Sequence, residues 1–197
     1  MKKIAIFFTM IIMTIVFAIS ANAAEIVDSG TCGMNGDNVK WTLDSEGVVT
    51  ISGEGKMAEY DYYAGEYPPF YKDDRVVKLV VKDGVTTIAE EMFSQCNNLR
   101  SVIFEGYLLV KESAFNDCSS LRFMYARNGF GSEKLAFDGT GGVHKLFVGN
   151  KEKRPYRFAE EVVYETFLTD GYVYKIVDGN AHILGVDPTI DFPVYCT

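Results

Sequence analysis

The sequence predicts a mainly β fold with short helical turns: a right-handed solenoid of three to four repeats, each 22–23 residues long, with β-hairpin caps. Two observations carry this. The middle of the chain resembles itself at a fixed step, and a hairpin pattern stands on either side of that stretch. The expected organisation is a signal peptide over 1–24, an N-terminal hairpin cap over 25–75, repeats over 76–150, and a connector with a second hairpin cap over 151–197.

The N-terminal cap comes first. Trp41 and Leu43 alternate with polar neighbours, as do Val49 and Ile51, and Asp44-Ser45-Glu46-Gly47 supplies the turn between them. A cap is needed because an open solenoid end exposes core and strand edges.

The repeats follow. Shifted by 22 residues, Ile88 falls on Val110, Phe93 on Phe115, Cys96 on Cys118, Leu99 on Leu121 and Val102 on Met124. A second shift takes Phe115 to Phe137, Leu121 to Val143 and Met124 to Leu146, while Cys118 becomes Thr140 in a worn third copy. One earlier strand fits a 23-residue step, with Val76, Leu79 and Val81 ahead of Leu99, Val102 and Phe104. A single unit cannot bury its own apolar face, so neighbours must stack. Val102 and Phe104 are two apart and share a face of a short strand. Ser113–Cys118 reads as a helical turn that drops Phe115 into the core. Stacking at about 4.8 Å gives two inward ladders, Val76/Leu99/Leu121/Val143 and Leu79/Val102/Met124/Leu146.

Beyond the repeats, Lys151–Phe167 reads either as a short helix carrying Phe158, Val162 and Tyr164 or as an irregular connector. Tyr172, Tyr174 and Ile176, then Asp178-Gly179-Asn180, then Ala181, Ile183 and Gly185 form the second hairpin pattern. Asp187–Val194 looks like the lead-in to a further repeat and is either a cap or a remnant.

The residues at Asp83–Ile88, Met92–Val102 and Ser113–Leu121 resemble the BspA-like leucine-rich repeat of bacterial surface proteins. Ser29-Gly30-Thr31-Cys32-Gly33, Trp41–Gly53, Met57, Tyr60 and Pro69-Phe70-Tyr71 resemble the cap that often precedes such repeats, although the family more often has Pro-Trp where Pro69-Phe70 stands. The likeness runs from about Ser29 to Val148. It implies an extracellular or surface-associated binding protein, often linked to adhesion, with no catalytic residues to carry over.

Lys2 and Lys3, an apolar stretch to Ile19 and an A-x-A pattern at Ala21 and Ala23 read as a cleaved secretory signal. That stretch is shorter than the roughly 20 residues a spanning helix needs. The expected location is therefore secreted or cell-surface associated, with no membrane span after cleavage. The formal charge of −8 becomes more negative once Lys2 and Lys3 are removed, which argues against nucleic-acid partners. His144 and His182 lack neighbours at ligand spacing, and no nucleophile elbow or phosphate loop occurs. Neither a metal, a cofactor nor a catalytic residue is expected.

Two candidate sites remain. In register, the outward strand positions read Val80, Ile103, Tyr125 and Phe147, with Phe123 and Arg127 beside them. An apolar row of that size either binds something or is covered. One reading makes it a ligand face with aromatic and cationic anchors; the other covers it with the Tyr- and Phe-rich C-terminal segment. The second candidate is the loop Tyr60–Tyr67, where Tyr62 and Tyr63 stand beside carboxylates suited to polar recognition of protein or sugar. The bland alternative is packing of Tyr60 and Tyr67 on the first rung. Cys96 and Cys118, one rung apart, are either a disulfide or two buried small residues, and the pairing of Cys32 and Cys196 is open. The expected function is non-catalytic recognition of an extracellular protein or glycan through the strand face. The alternative is an assembly module that stacks on another chain of a surface complex.

Overall fold

The computed structural model describes residues 24–140, 142–150, 156, 158–178 and 180–189. All of the expected signal segment but Ala24 lies outside these residues, as do Cys196 and most of the expected lead-in after Thr189.

The expected N-terminal hairpin is a three-stranded antiparallel cap. β1 (Ile26–Gly33) pairs with β2 (Gly36–Asp44), which pairs with β3 (Val48–Gly53). Between β2 and β3, the Asp44 carboxylate accepts the N–H groups of Glu46 (3.0 Å) and Val48 (2.8 Å), the Asx chemistry of a tight turn. The repeats follow as β4 (Lys78–Val81), β5 (Thr87–Ile88), β6 (Ser101–Phe104), β7 (Leu109–Val110), β8 (Phe123–Ala126), β9 (Gly131–Ser132) and β10 (Val143–Val148). Strands β3, β4, β6, β8 and β10 are neighbours and parallel. The short β5, β7 and β9 form a second parallel sheet on the flank of the same rungs.

The register is the one the repeat step demands. Leu79 pairs with Val102, Val102 with Met124 and Met124 with Leu146; the outward row Val80, Ile103, Tyr125 and Phe147 aligns in the same way. Both inward ladders are fully buried. At their centre, aromatic rings stack rung upon rung. Phe70 faces Phe93 at 5.3 Å, Phe93 faces Phe115 at 5.5 Å, Phe115 faces Phe137 at 5.1 Å and Phe137 faces Phe158 at 4.0 Å, all near-parallel. Trp41 of the cap meets Phe70 edge-on at 4.8 Å and closes the N-terminal end of the spine.

The turns that carry these rings depart from the helical expectation. Glu91, Ser113 and Leu135 occupy equivalent positions at φ of 52°, 54° and 60°. Lys72, Gln95, Asp117 and Gly139 form a second such column at 59°, 60°, 56° and 65°. Two left-handed residues per rung prevent a helix from propagating. They turn the backbone toward the next rung instead, so that Phe93 N–H bonds Ala114 C=O and Phe115 N–H bonds Ala136 C=O, each at 2.8 Å.

Cys96 and Cys118 are free and buried, not bridged. Each thiol donates to a phenylalanine carbonyl of the preceding rung, Cys96 to Phe70 and Cys118 to Phe93, both at 3.0 Å. Cys32 is also free and buried. Burial pushes the Cys32 and Cys118 thiols up to about 12 and the Cys96 thiol higher still, which keeps them unreactive. In the worn third copy, Thr140 bonds Phe137 of its own rung at 2.9 Å and does not reach back.

Neither sequence-based alternative for Lys151–Phe167 describes its second half. β11 (Ala159–Tyr164) is a further parallel strand beside β10, with Leu146 opposite Val162 and Val148 opposite Tyr164. The β-branched pair Val162-Val163 and the two-residue spacing of Val162 and Tyr164 favour a strand over a helix. Glu160 and Glu161 are exposed on it, and Lys145 pairs with Glu161 at 3.1 Å. The chain then forms β12 (Phe167–Thr169), β13 (Tyr172–Val177) and β14 (Asn180–Val186), an antiparallel sheet that contains the expected hairpin and adds a strand to it.

Candidate functional site

The strand-face row is not an open surface. Ile103, Phe123, Tyr125 and Phe147 are 8%, 6%, 5% and 2% exposed and pack with the fully buried Val173 of β13. Val80, Val163 and Leu168 border this second core, and Val80 is half-buried. Gly185 of β14 lies so close that a Cβ there would come within 2.6 Å of the Phe147 ring. The Tyr125 hydroxyl, 3.4 Å from the Thr166 carbonyl, donates to it. Burial raises the Tyr125 phenol, and the neighbouring Arg127 opposes the shift. Arg127 itself is exposed in the turn after β8, not on the strand. At the far end, Asp187 is wholly buried and pairs with Lys78 at 2.6 Å, tying the end of β14 to the first rung. The expectation of an accessible ligand face fails here for a simple reason. Outward apolar side chains on adjacent parallel strands are an exposed sheet face, and the Tyr- and Val-bearing C-terminal sheet covers it.

The Tyr60–Tyr67 loop is open. The Asp61 carboxylate accepts the N–H groups of Tyr63 (2.9 Å) and Ala64 (3.1 Å), and the Asp61 carbonyl accepts that of Glu66 (2.9 Å). These bonds hold a single 3-10 turn, Tyr62–Ala64, that points Tyr63 outward at 99% exposure. The side chain of Tyr62 lies outside the described residues. Part of the packing alternative also holds. Tyr60 is half-buried against the core, and its phenol is raised to about 12 by burial and by nearby Cys32. Tyr67 stacks on Tyr71 at 5.0 Å, over which Lys72 sits at 4.7 Å.

Between this loop and the Glu90-Glu91 turn lies a cleft of about 330 Å³, bordered by Glu59, Asp61, Tyr63 and Glu66. A second cavity of about 240 Å³ shares Glu59, Tyr60 and Glu90 and runs on along the flank sheet to Lys111 and Glu133. The two make one trough edged by tyrosine, acidic at the loop end and with Lys56 and Lys111 among the carboxylates of the flank end. Partial burial, then repulsion from Glu112, Glu91 and Glu133, raises the Glu90 carboxyl above its ordinary value, and Lys111 offsets this in part. Lys111 is itself held by Glu133 at 2.9 Å, and Glu133 also accepts the Glu112 N–H at 3.1 Å. The geometry suits a cation approaching from solvent, since a positive charge relieves repulsion already present. Among the described residues, no group of three or more His, Cys, Asp and Glu side chains is arranged to hold a metal ion.

Sequence reasoning named the loop side of this trough, its tyrosines together with Asp61 and Glu66, and missed the carboxylates that the Glu90-Glu91 turn brings to the other side. Glu90 lies 30 residues beyond Tyr60 and meets it only through the stacking of cap on rung. The legible signal was Glu112, which repeats Glu90 at the 22-residue step.

No family model matches the chain, and no curated protein matches it. Among solved structures, a leucine-rich repeat protein from Eubacterium ventriosum is similar at 18% identity, covering 75% of this chain and 48% of its own, with a TM-score of 0.41. The chain thus spans about half the length of that protein.

Proposed function

We propose that the chain is an exported, non-catalytic binding protein of the BspA-like leucine-rich-repeat kind, a short right-handed solenoid that acts outside the cell or at its surface. Its recognition site is the acidic trough between the Tyr60–Tyr67 loop and the Glu90-Glu91 turn, and its ligand is a protein segment bearing lysine or arginine. The observation that carries this reading is the cleft itself, which gathers Glu59, Asp61, Glu66, Glu90 and Glu91 around an exposed Tyr63. Aromatic faces and carboxylates together favour cationic side chains over neutral sugars.

The test titrates the chain lacking residues 1–24 with a lysine-rich peptide and a neutral peptide of equal length. Binding of the basic peptide alone is expected, weakening with added salt. Tyr63→Ser and Glu90→Gln should each weaken it by about tenfold, worth ~1.4 kcal/mol, without moving the fluorescence of Trp41. Affinity should also fall on acidification as the carboxylates take up protons. Equal binding of both peptides, or an unchanged affinity in Glu90→Gln, would overturn the proposal.

A further inference from the structure

The outer edge of the C-terminal sheet points to a second use of the molecule. β14 is the last strand of the order β12-β13-β14, and its far side has no neighbouring strand among the described residues. Edges of this kind are ordinarily blunted by charge or proline. Asn180–Val186 contains no Lys, Arg, Asp, Glu or Pro. It is also apolar and open, with Ile183 67% and Leu184 36% exposed. The hairpin closes at the pair Val177–Asn180, and alternate pairs of an antiparallel hairpin exchange hydrogen bonds. Ala181 and Ile183 therefore turn their N–H and C=O groups to the open side.

We infer that two copies of this chain pair β14 against β14, antiparallel about a two-fold axis at His182, to make one continuous six-stranded sheet. Ala181 of one copy then lies opposite Ile183 of the other, and the two residues exchange both hydrogen bonds. The arrangement is self-complementary, as a two-fold interface must be. It also continues a pattern already built. Phe167, Tyr174 and Ile183 stand directly opposite one another across β12, β13 and β14, with Phe167 and Tyr174 stacked at 5.4 Å. That row stops at the edge on Ile183, the most exposed isoleucine among the described residues, and the second copy extends it through Ala181 and Ile176. Charge favours the same choice. In a chain of formal charge −8, copies meet with least repulsion along a strand that carries none. The chain leaves β14 at Asp187, beside Lys78 and away from the Ile176-Val177 tip, so the pairing segment is not the exit point.

The mass of the chain lacking residues 1–24, measured by sedimentation from low micromolar to submillimolar concentration, tests this. A monomer–dimer equilibrium is expected. Ala181→Pro removes one outward N–H and leaves the inward pairing to β13 intact, so it should weaken association by about tenfold or more while circular dichroism stays unchanged. Ile183→Lys should do the same by placing a charge on the edge. Tyr63→Ser, in the acidic trough, should leave association untouched, which separates this inference from the proposed ligand site. A wild-type chain that stays monomeric over the whole range, or an Ala181→Pro variant that associates as well as wild type, would overturn it.

Discussion

Among its described residues the protein has two hydrophobic cores, built on opposite faces of the same parallel strands. The inner one is periodic: each rung repeats the Phe93, Leu99 and Val102 positions of the rung before, and like side chains stack on like. The outer one is assembled once. Ile103, Phe123, Tyr125 and Phe147 of the rungs meet Val173 and Leu168 of a sheet that arrives from later in the chain. Periodic packing distributes its contacts over neighbours close in sequence, whereas the outer core depends on a long-range docking event and one buried ion pair. The difference predicts that the two cores fail differently.

The largest effect should come from the spine. Phe115 is fully buried between Phe93 and Phe137. Phe115→Ala should cost about 3–5 kcal/mol, through lost transfer energy and the cavity left behind. Because every ring transmits contact to the next rung, urea unfolding should stay a single transition at lower midpoint. A separate early transition in this variant would mean that the rungs unfold one by one.

The outer core should detach before the inner one melts. Asp187 is wholly buried, holds Lys78 at 2.6 Å, and accepts both the N–H and the hydroxyl of Thr189. Asp187→Ala leaves the Lys78 ammonium unpaired, at about 3 kcal/mol. That is the lower end of the range for a broken buried pair, because Lys78 keeps some contact with water. The loss should be local. Amide exchange should rise in β12–β14, while Trp41, the chain's one tryptophan, packed edge-on against Phe70 of the inner core, reports an unchanged main sheet. Uniform exchange across the molecule would join the two cores into one cooperative unit. Gly185→Val probes the same contact sterically, since its side chain would press on the Phe147 ring. About 1–2 kcal/mol of destabilisation, again confined to the C-terminal sheet by amide exchange, is expected.

The contrast between the cores also explains what the sequence could reveal. A period is a signal a reader can detect without knowing the fold, so the register of Leu79, Val102, Met124 and Leu146 was legible, and so was the alignment of the outward row. What covers that row was legible only as two alternatives, because nothing in Val173 or Gly185 names its partner. β11 escaped for a related reason. It joins the main sheet after a shorter step than its predecessors, so a search at 22 residues passes over it, and Phe158 joins the ring stack without matching the repeat. The acidic trough was half visible, because Asp61 and Glu66 stand among its tyrosines in sequence, whereas Glu90 and Glu133 reach it from later rungs.

The smallest effect sharpens the comparison from the inner side. Gln95 holds φ at 60° in a column where the third rung has Gly139 at 65°. A left-handed conformation costs a residue with a Cβ about 1–2 kcal/mol relative to glycine. Replacing Gln95 with glycine relieves that strain but gives the unfolded chain more freedom, which takes back roughly 0.5–1 kcal/mol. The Gln95 N–H to Asn116 bond at 2.7 Å is a backbone contact and survives the change. Gln95→Gly should therefore stabilise the chain by about 0.5 kcal/mol, seen as a small rise in urea midpoint with unchanged slope. A drop instead would mean that the Gln95 side chain contributes more than its strain costs. The same substitution should leave amide exchange in β12–β14 where it was, because the outer core shares strands with the inner one but none of its turns.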